Sequence, residues 1–142
     1  CLYFSLSVDD LPSDEPILYL DGTGTGPINN LTFVSTLCDC APVSQALASV
    51  SVIGQKEMGM EEIAKQAKNQ LTEWFGKKAE GWKYLKGYRI HQAVPSCPTP
   101  PSPKPALTEV YRCGDYFGLP SIDSAMKSGR LTAEHIIRES QS

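Results

Sequence analysis

A chain of 142 residues with 41% apolar and 20% charged content has ordinary globular composition, which excludes wholesale disorder. A formal net charge of -3, with Lys and Arg scattered, supplies no basic field for releasing counterions from nucleic acid, so no nucleic-acid partner is expected. No stretch approaches the roughly 20 apolar residues of a transmembrane segment, which leaves peripheral contact as the form of membrane association still open to a parent protein.

The chain opens at Cys1-Leu2-Tyr3-Phe4-Ser5-Leu6 in a strand-like pattern, without an initiator Met or a basic leader. The expectation is a fragment of a larger intracellular protein, with a plastid as one candidate compartment and any targeting signal outside this segment. The five cysteines, Cys1, Cys38, Cys40, Cys97 and Cys113, are odd in number and irregularly spaced, unlike a secreted disulfide scaffold, and point to a reducing compartment.

Ile17-Leu18-Tyr19-Leu20 reads as a strand that ends in Asp21-Gly22-Thr23-Gly24-Thr25-Gly26-Pro27. That glycine run lacks a following helix pattern and so fails as a dinucleotide loop; it reads as a hairpin turn. Residues 31–35 and 46–53 are rich in β-branched side chains and read as antiparallel strands with one covered face. Between them, Cys38-Asp39-Cys40-Ala41-Pro42 is a loop, and its two thiols fall short of a four-ligand metal site, so no metal is expected. The Asn30-Leu31-Thr32 sequon carries little weight in an intracellular protein.

From Met60 the period changes. Met60, Ile63, Ala64, Ala67, Leu71, Trp74 and Phe75 fall three or four apart, an amphipathic helix with Glu61 and Glu62 in its first turn and Gly76-Lys77-Lys78 at its end. Trp82 to Ile90 reads as extended, with Trp82 and Tyr84 either filling core or lining a substrate cavity, and His91 within the apparent strand. Residues 97–105 carry five prolines in nine positions, which rules out regular structure and marks a connector. After it, residues 107–113 read as a strand, 114–120 as a loop, and Ser121 to about Ile137 as a helix with Ser121 as N-cap. An apolar stripe of Ile122, Ala125, Met126, Gly129, Ala133, Ile136 and Ile137 on that helix predicts close approach to a neighbouring sheet or cofactor. His91 and His135 have no partner for acid or base work and read as structural, as do Ser128 and Gly129.

The run Val110-Tyr111-Arg112-Cys113-Gly114-Asp115, a short spacer, and Pro120-Ser121-Ile122-Asp123-Ser124-Ala125-Met126-Lys127-Ser128-Gly129-Arg130 resembles the C-terminal flavin motif of the flavin-containing amine oxidoreductase and carotenoid (phytoene) desaturase superfamily, with plant flavoproteins the most similar in pattern. The likeness implies an α+β chain in pieces: antiparallel strands plus a helix from a substrate domain over 1–96, a proline-rich connector over 97–106, and over 107–142 the last strand and C-terminal helix of an incomplete FAD-binding Rossmann-like domain. It implies FAD as cofactor, with Gly114 and Asp115 facing the ribityl chain and Ser121, Ile122, Asp123 and Ala125 at the flavin edge. The Asp115 carboxylate would act as a pure acceptor, and the helix N-terminus would stabilise charge on the reduced flavin. The intact parent would be an FAD-dependent oxidoreductase of amine oxidase type, moving hydride from a small amine or a hydrophobic C–C substrate to flavin. The Gly-x-Gly-x-x-Gly element for the pyrophosphate is missing from these residues, and catalytic residues are not assignable from them, so the fragment alone is expected to be inactive and to bind FAD weakly. Two alternatives stay open: a non-catalytic interaction or scaffold module that keeps the fold, and a carotenoid isomerase-type flavoprotein without net oxidation.

Overall fold

A computed structural model describes residues 1–54, 57–94 and 110–141. The chain is α+β and divides into two compact units, Cys1–His91 and Gln92–Ser142. The expected connector over 97–106 lies outside the described residues, as do the expected strand positions 107–109.

The first unit is built on five strands, β1 (Leu2–Ser7), β2 (Leu18–Leu20), β3 (Ile28–Phe33), β4 (Gln45–Val52) and β5 (Lys83–Gly87). They form one antiparallel sheet in the order β2-β3-β4-β1-β5. Alternation decides which face is covered: Leu2, Phe4 and Leu6 on β1, Leu31 and Phe33 on β3, and Ala46, Ala48 and Val50 on β4 are all buried, while their neighbours in sequence are half-buried or exposed. The helix α1 (Met60–Phe75) covers that face with Ile63, Ala64, Ala67 and Leu71 of the stripe its period predicts and with Gln70, while Met60, Trp74 and Phe75 of that stripe are partly buried. Gly76 ends it, and its N–H closes onto the Thr72 carbonyl.

A second short helix, α2 (Lys77–Glu80), follows where the pattern predicted only a helix end. Four residues are too few to show a period, and Ala79 is the one it buries. Lys68 on α1 ties α2 down, its ammonium donating to the carbonyls of Glu80 and Trp82; burial lowers its proton affinity. Trp82 is 1% exposed and packs edge-on against Phe33 at 5.6 Å and tilted against Phe75 at 5.4 Å. Its indole N–H finds no acceptor among the described residues, a cost of about 1–3 kcal/mol that the ring packing must offset. Of the extended stretch expected to reach Ile90, the strand ends at Gly87, one further backbone pair joins Tyr88 to Cys1 in both directions at 2.8 Å, and His91 stands in a bend.

The second unit contains a 3-10 turn at Asp115–Phe117 and the helix α3 (Ile122–Ser140). Of the strand expected over residues 107–113, the described part makes a single bridge at Val110 and no ladder over 111–113. The backbone here is satisfied by side chains of α3 instead of a neighbouring strand. The α3 stripe is also not covered as expected: Ile122 is 82% exposed and Met126 71%, whereas Ser128 on the polar side is buried. Among the described residues, no helix is long and apolar enough to cross a membrane.

Candidate functional site

Residues 111–114 run along α3, held by a ladder of side chains. Ser128 Oγ accepts from the Gly114 N–H at 2.7 Å and lies 2.8 Å from the Gly114 carbonyl and 3.1 Å from that of Ala125, so its one proton serves either acceptor. One turn further on, Thr132 Oγ1 donates to the Arg112 carbonyl at 3.2 Å. Near the helix end the Tyr111 hydroxyl donates to the Glu139 carboxylate, and its ring meets the His135 ring edge-on at 6.0 Å. His135 Nε2 also stands 3.2 Å from Glu139 Oε1, at ion-pair distance but without hydrogen-bond alignment.

This ladder fixes Gly114 with φ at 154°, a backbone geometry that favours glycine. A Cβ there would lie 2.6 Å from Tyr116 Cε1. The chain then turns through Asp115–Phe117, with the Tyr116 and Phe117 rings 4.7 Å apart, and reaches the start of α3. Ser121 is the N-cap: its hydroxyl accepts from the Ser124 N–H at 3.1 Å, worth about 0.5–2 kcal/mol. Its carbonyl takes the Ala125 N–H.

Of the residues expected to face FAD, the fold brings Gly114 and Ala125 together across the Ser128 hydroxyl, and sets Ser121, Ile122 and Asp123 in the first turn of α3. No hydrogen bond joins Asp115 to Asp123. Among the described residues, the half-buried Asp115 carboxylate accepts no hydrogen bond, and the N–H groups of Ile122 and Asp123 have no acceptor. The unit thus offers one carboxylate acceptor and two helix-end donors, the donor and acceptor types that a polyol and a carbonyl edge require. Ser128, read from sequence as packing, positions the Gly114 loop through its hydroxyl; a serine in mid-helix is the only signal of it.

The glycine run of the first unit folds as the loop between β2 and β3. The Asp21 carboxylate accepts from the Thr23 hydroxyl at 2.7 Å, the Thr23 N–H at 2.9 Å and the Gly24 N–H at 3.1 Å; the Thr23 bonds foremost lower its proton affinity. Gln70 reaches in from α1, accepting the Ile28 N–H at 2.9 Å and donating to Asp21 Oδ2 at 3.3 Å. The run is therefore a turn locked by its own aspartate. No group of three or more His, Cys, Asp or Glu among the described residues is placed to hold a metal. No family model, no curated protein and no solved structure matches the chain.

Proposed function

We propose that this chain is the C-terminal part of an FAD-dependent oxidoreductase of amine oxidase type, whose residues 107–142 supply the C-terminal segment and last helix of the FAD domain. The observation that carries the proposal is the unpartnered Asp115 carboxylate on a glycine-anchored loop, in the same small unit as the two free N–H groups at the start of α3. Asp115 would accept a ribityl hydroxyl. The Ile122 and Asp123 N–H groups, backed by the helix dipole, would face the flavin edge that gains negative charge on reduction. FAD when bound would take up hydride from an amine or a hydrophobic C–C substrate. The protein's part is to bind, orient and bias the cofactor.

The exposed stripe of α3 supports the same reading, since in a complete FAD domain Ile122, Met126 and Ile137 would be covered by the rest of that domain. It equally favours a second reading, a non-catalytic module that presents this stripe to a partner protein. An FAD titration of the 142-residue chain tests whether this segment is an incomplete site. The proposal expects weak binding, because these residues include no glycine-rich βαβ unit for the pyrophosphate. Stoichiometric yellow flavin retained through gel filtration would contradict the view that this segment is an incomplete site.

A further inference from the structure

The first unit holds a second group of reactive side chains, outside the flavin reading. Between β3 and β4 the backbone passes a 3-10 turn at Val34–Thr36 and then doubles back at Cys38-Asp39-Cys40. The Cys40 N–H donates to the Cys38 carbonyl at 2.8 Å, closing a three-residue turn over Asp39. Two residues apart, Cα atoms can be separated by at most about 7 Å. A turn closed in this way draws the two Cα atoms in from that limit, toward the roughly 4.4–6.8 Å that a disulfide spans.

Both thiols are free and exposed, and Cys38 Sγ donates to the Val34 carbonyl at 3.6 Å. Desolvation first, then the neighbouring Cys38, push the Cys40 thiol above its ordinary range, which disfavours its thiolate. The two cysteines line an open cavity of about 370 Å³ together with Val8, Leu11, Ser35 and Val43, which has room for a small reactant. Two adjacent thiols can clamp a metal or close on each other. No third or fourth ligand stands with them among the described residues, which disfavours a zinc-type site.

We propose that Cys38 and Cys40 form a redox-active dithiol that closes to a disulfide by exchange with a small aliphatic disulfide. One thiolate of the pair attacks a sulfur of that disulfide, forming a mixed S–S bond and expelling one small thiolate. The second thiolate of the pair attacks the protein sulfur of the mixed bond, forming the Cys38–Cys40 bond and expelling the other small thiolate. Two protein thiols are oxidised, one external disulfide is reduced to two thiols, and the two protons lost by Cys38 and Cys40 pass to the leaving thiolates. An exposed disulfide in so small a ring belongs to the labile, reversible class and not to the structural one. The core side chains of β3 and β4 lie outside the turn, so closure leaves the sheet in place.

The test uses the 142-residue chain with Cys1→Ser, Cys97→Ser and Cys113→Ser, titrated with oxidised glutathione, alkylated, and weighed intact. Both remaining alkylation sites should disappear together, with loss of two hydrogens, no glutathione retained, an unchanged circular dichroism spectrum, and full recovery on adding dithiothreitol. With Cys40→Ser added, one glutathione should stay attached to Cys38. Stable glutathione adducts on both cysteines, covalent dimers in place of the intraloop bond, or oxidation only after the native spectrum is lost would each overturn the proposal. So would retention of a soft metal ion by the reduced pair that blocks oxidation under native conditions.

Discussion

Gly26 and Gln70 form one structural unit, and substituting both tests how the hairpin is joined to α1. A Cβ on Gly26 would fall 2.1 Å from Gln70 Oε1 and 2.6 Å from its Nε2, so Gly26→Ala must displace the Gln70 amide. That amide is the tip of a flexible side chain, and swinging it away would be cheap if it were idle. It is 5% exposed and holds the buried Ile28 N–H and the Asp21 carboxylate. Leaving Ile28 N–H without an acceptor costs about 1–3 kcal/mol, and that is the expected cost of Gly26→Ala. For a unit of this size the shift in midpoint temperature is about 4–8 °C per kcal/mol. In a Gln70→Ala background the obstacle and the bonds are already gone. There Gly26→Ala should be neutral or stabilising by about 0.4–1 kcal/mol, through the reduced entropy of the unfolded chain. Urea unfolding of the four proteins, followed by far-UV circular dichroism, gives the coupling energy directly. An equal cost of Gly26→Ala in both backgrounds would refute the reasoning, since the loss would then have nothing to do with Gln70.

The Asp21 turn predicts an acid dependence. Its carboxyl is held below the usual range by the Thr23 bonds first, so the stability it contributes is present above the unfolded-state pKa of about 3.9 and is lost as pH falls through the lower folded value. Asp21→Asn should unfold more easily than wild type at neutral pH, and the gap should close in urea melts below that window; a gap independent of pH would count against the turn. In the second unit, Ser128→Ala removes the acceptor of the Gly114 N–H and should weaken the local structure by about 1–3 kcal/mol. Hydrogen exchange of the Gly114 amide should speed up accordingly, and an unchanged rate would show that the hydroxyl holds nothing. Gly114→Ala should be worse than Ser128→Ala in the same assay, because it adds an Ala at φ 154° and a methyl 2.6 Å from the Tyr116 ring.

Much of the first unit is legible in the sequence because its signals are local. Period two marks β4, period three to four marks α1, and apart from Gln70 the buried residues of both are apolar ones those periods select. What the sequence hides is non-local or too short to show a period. Gln70 sits in the apolar stripe of α1 as an apparent exception, and only the fold supplies its partner at Ile28, 42 residues away. Likewise α2 is one turn long. In the second unit the apolar stripe of α3 is plain in the sequence, but the fold packs the Ser128 and Thr132 side, because those hydroxyls are what the backbone of residues 112–114 can bond. The Ser121 cap could be anticipated from residue type alone, whereas the strand expected to lead into Gly114 does not form over 111–113 and the turn at Asp115–Phe117 leaves no local signal.

The measurement that bears most directly on the flavoprotein proposal is FAD content and affinity of the protein made from the complete reading frame that contains this chain, with and without Asp115→Ala. The account predicts one FAD per chain in the unaltered protein. Losing a hydrogen bond to a carboxylate is worth about 1.5–3 kcal/mol, so Asp115→Ala should raise the dissociation constant by roughly 10-fold to 150-fold. A complete protein that cannot be loaded with FAD, or an Asp115→Ala variant that binds FAD as tightly as the unaltered protein, would contradict it.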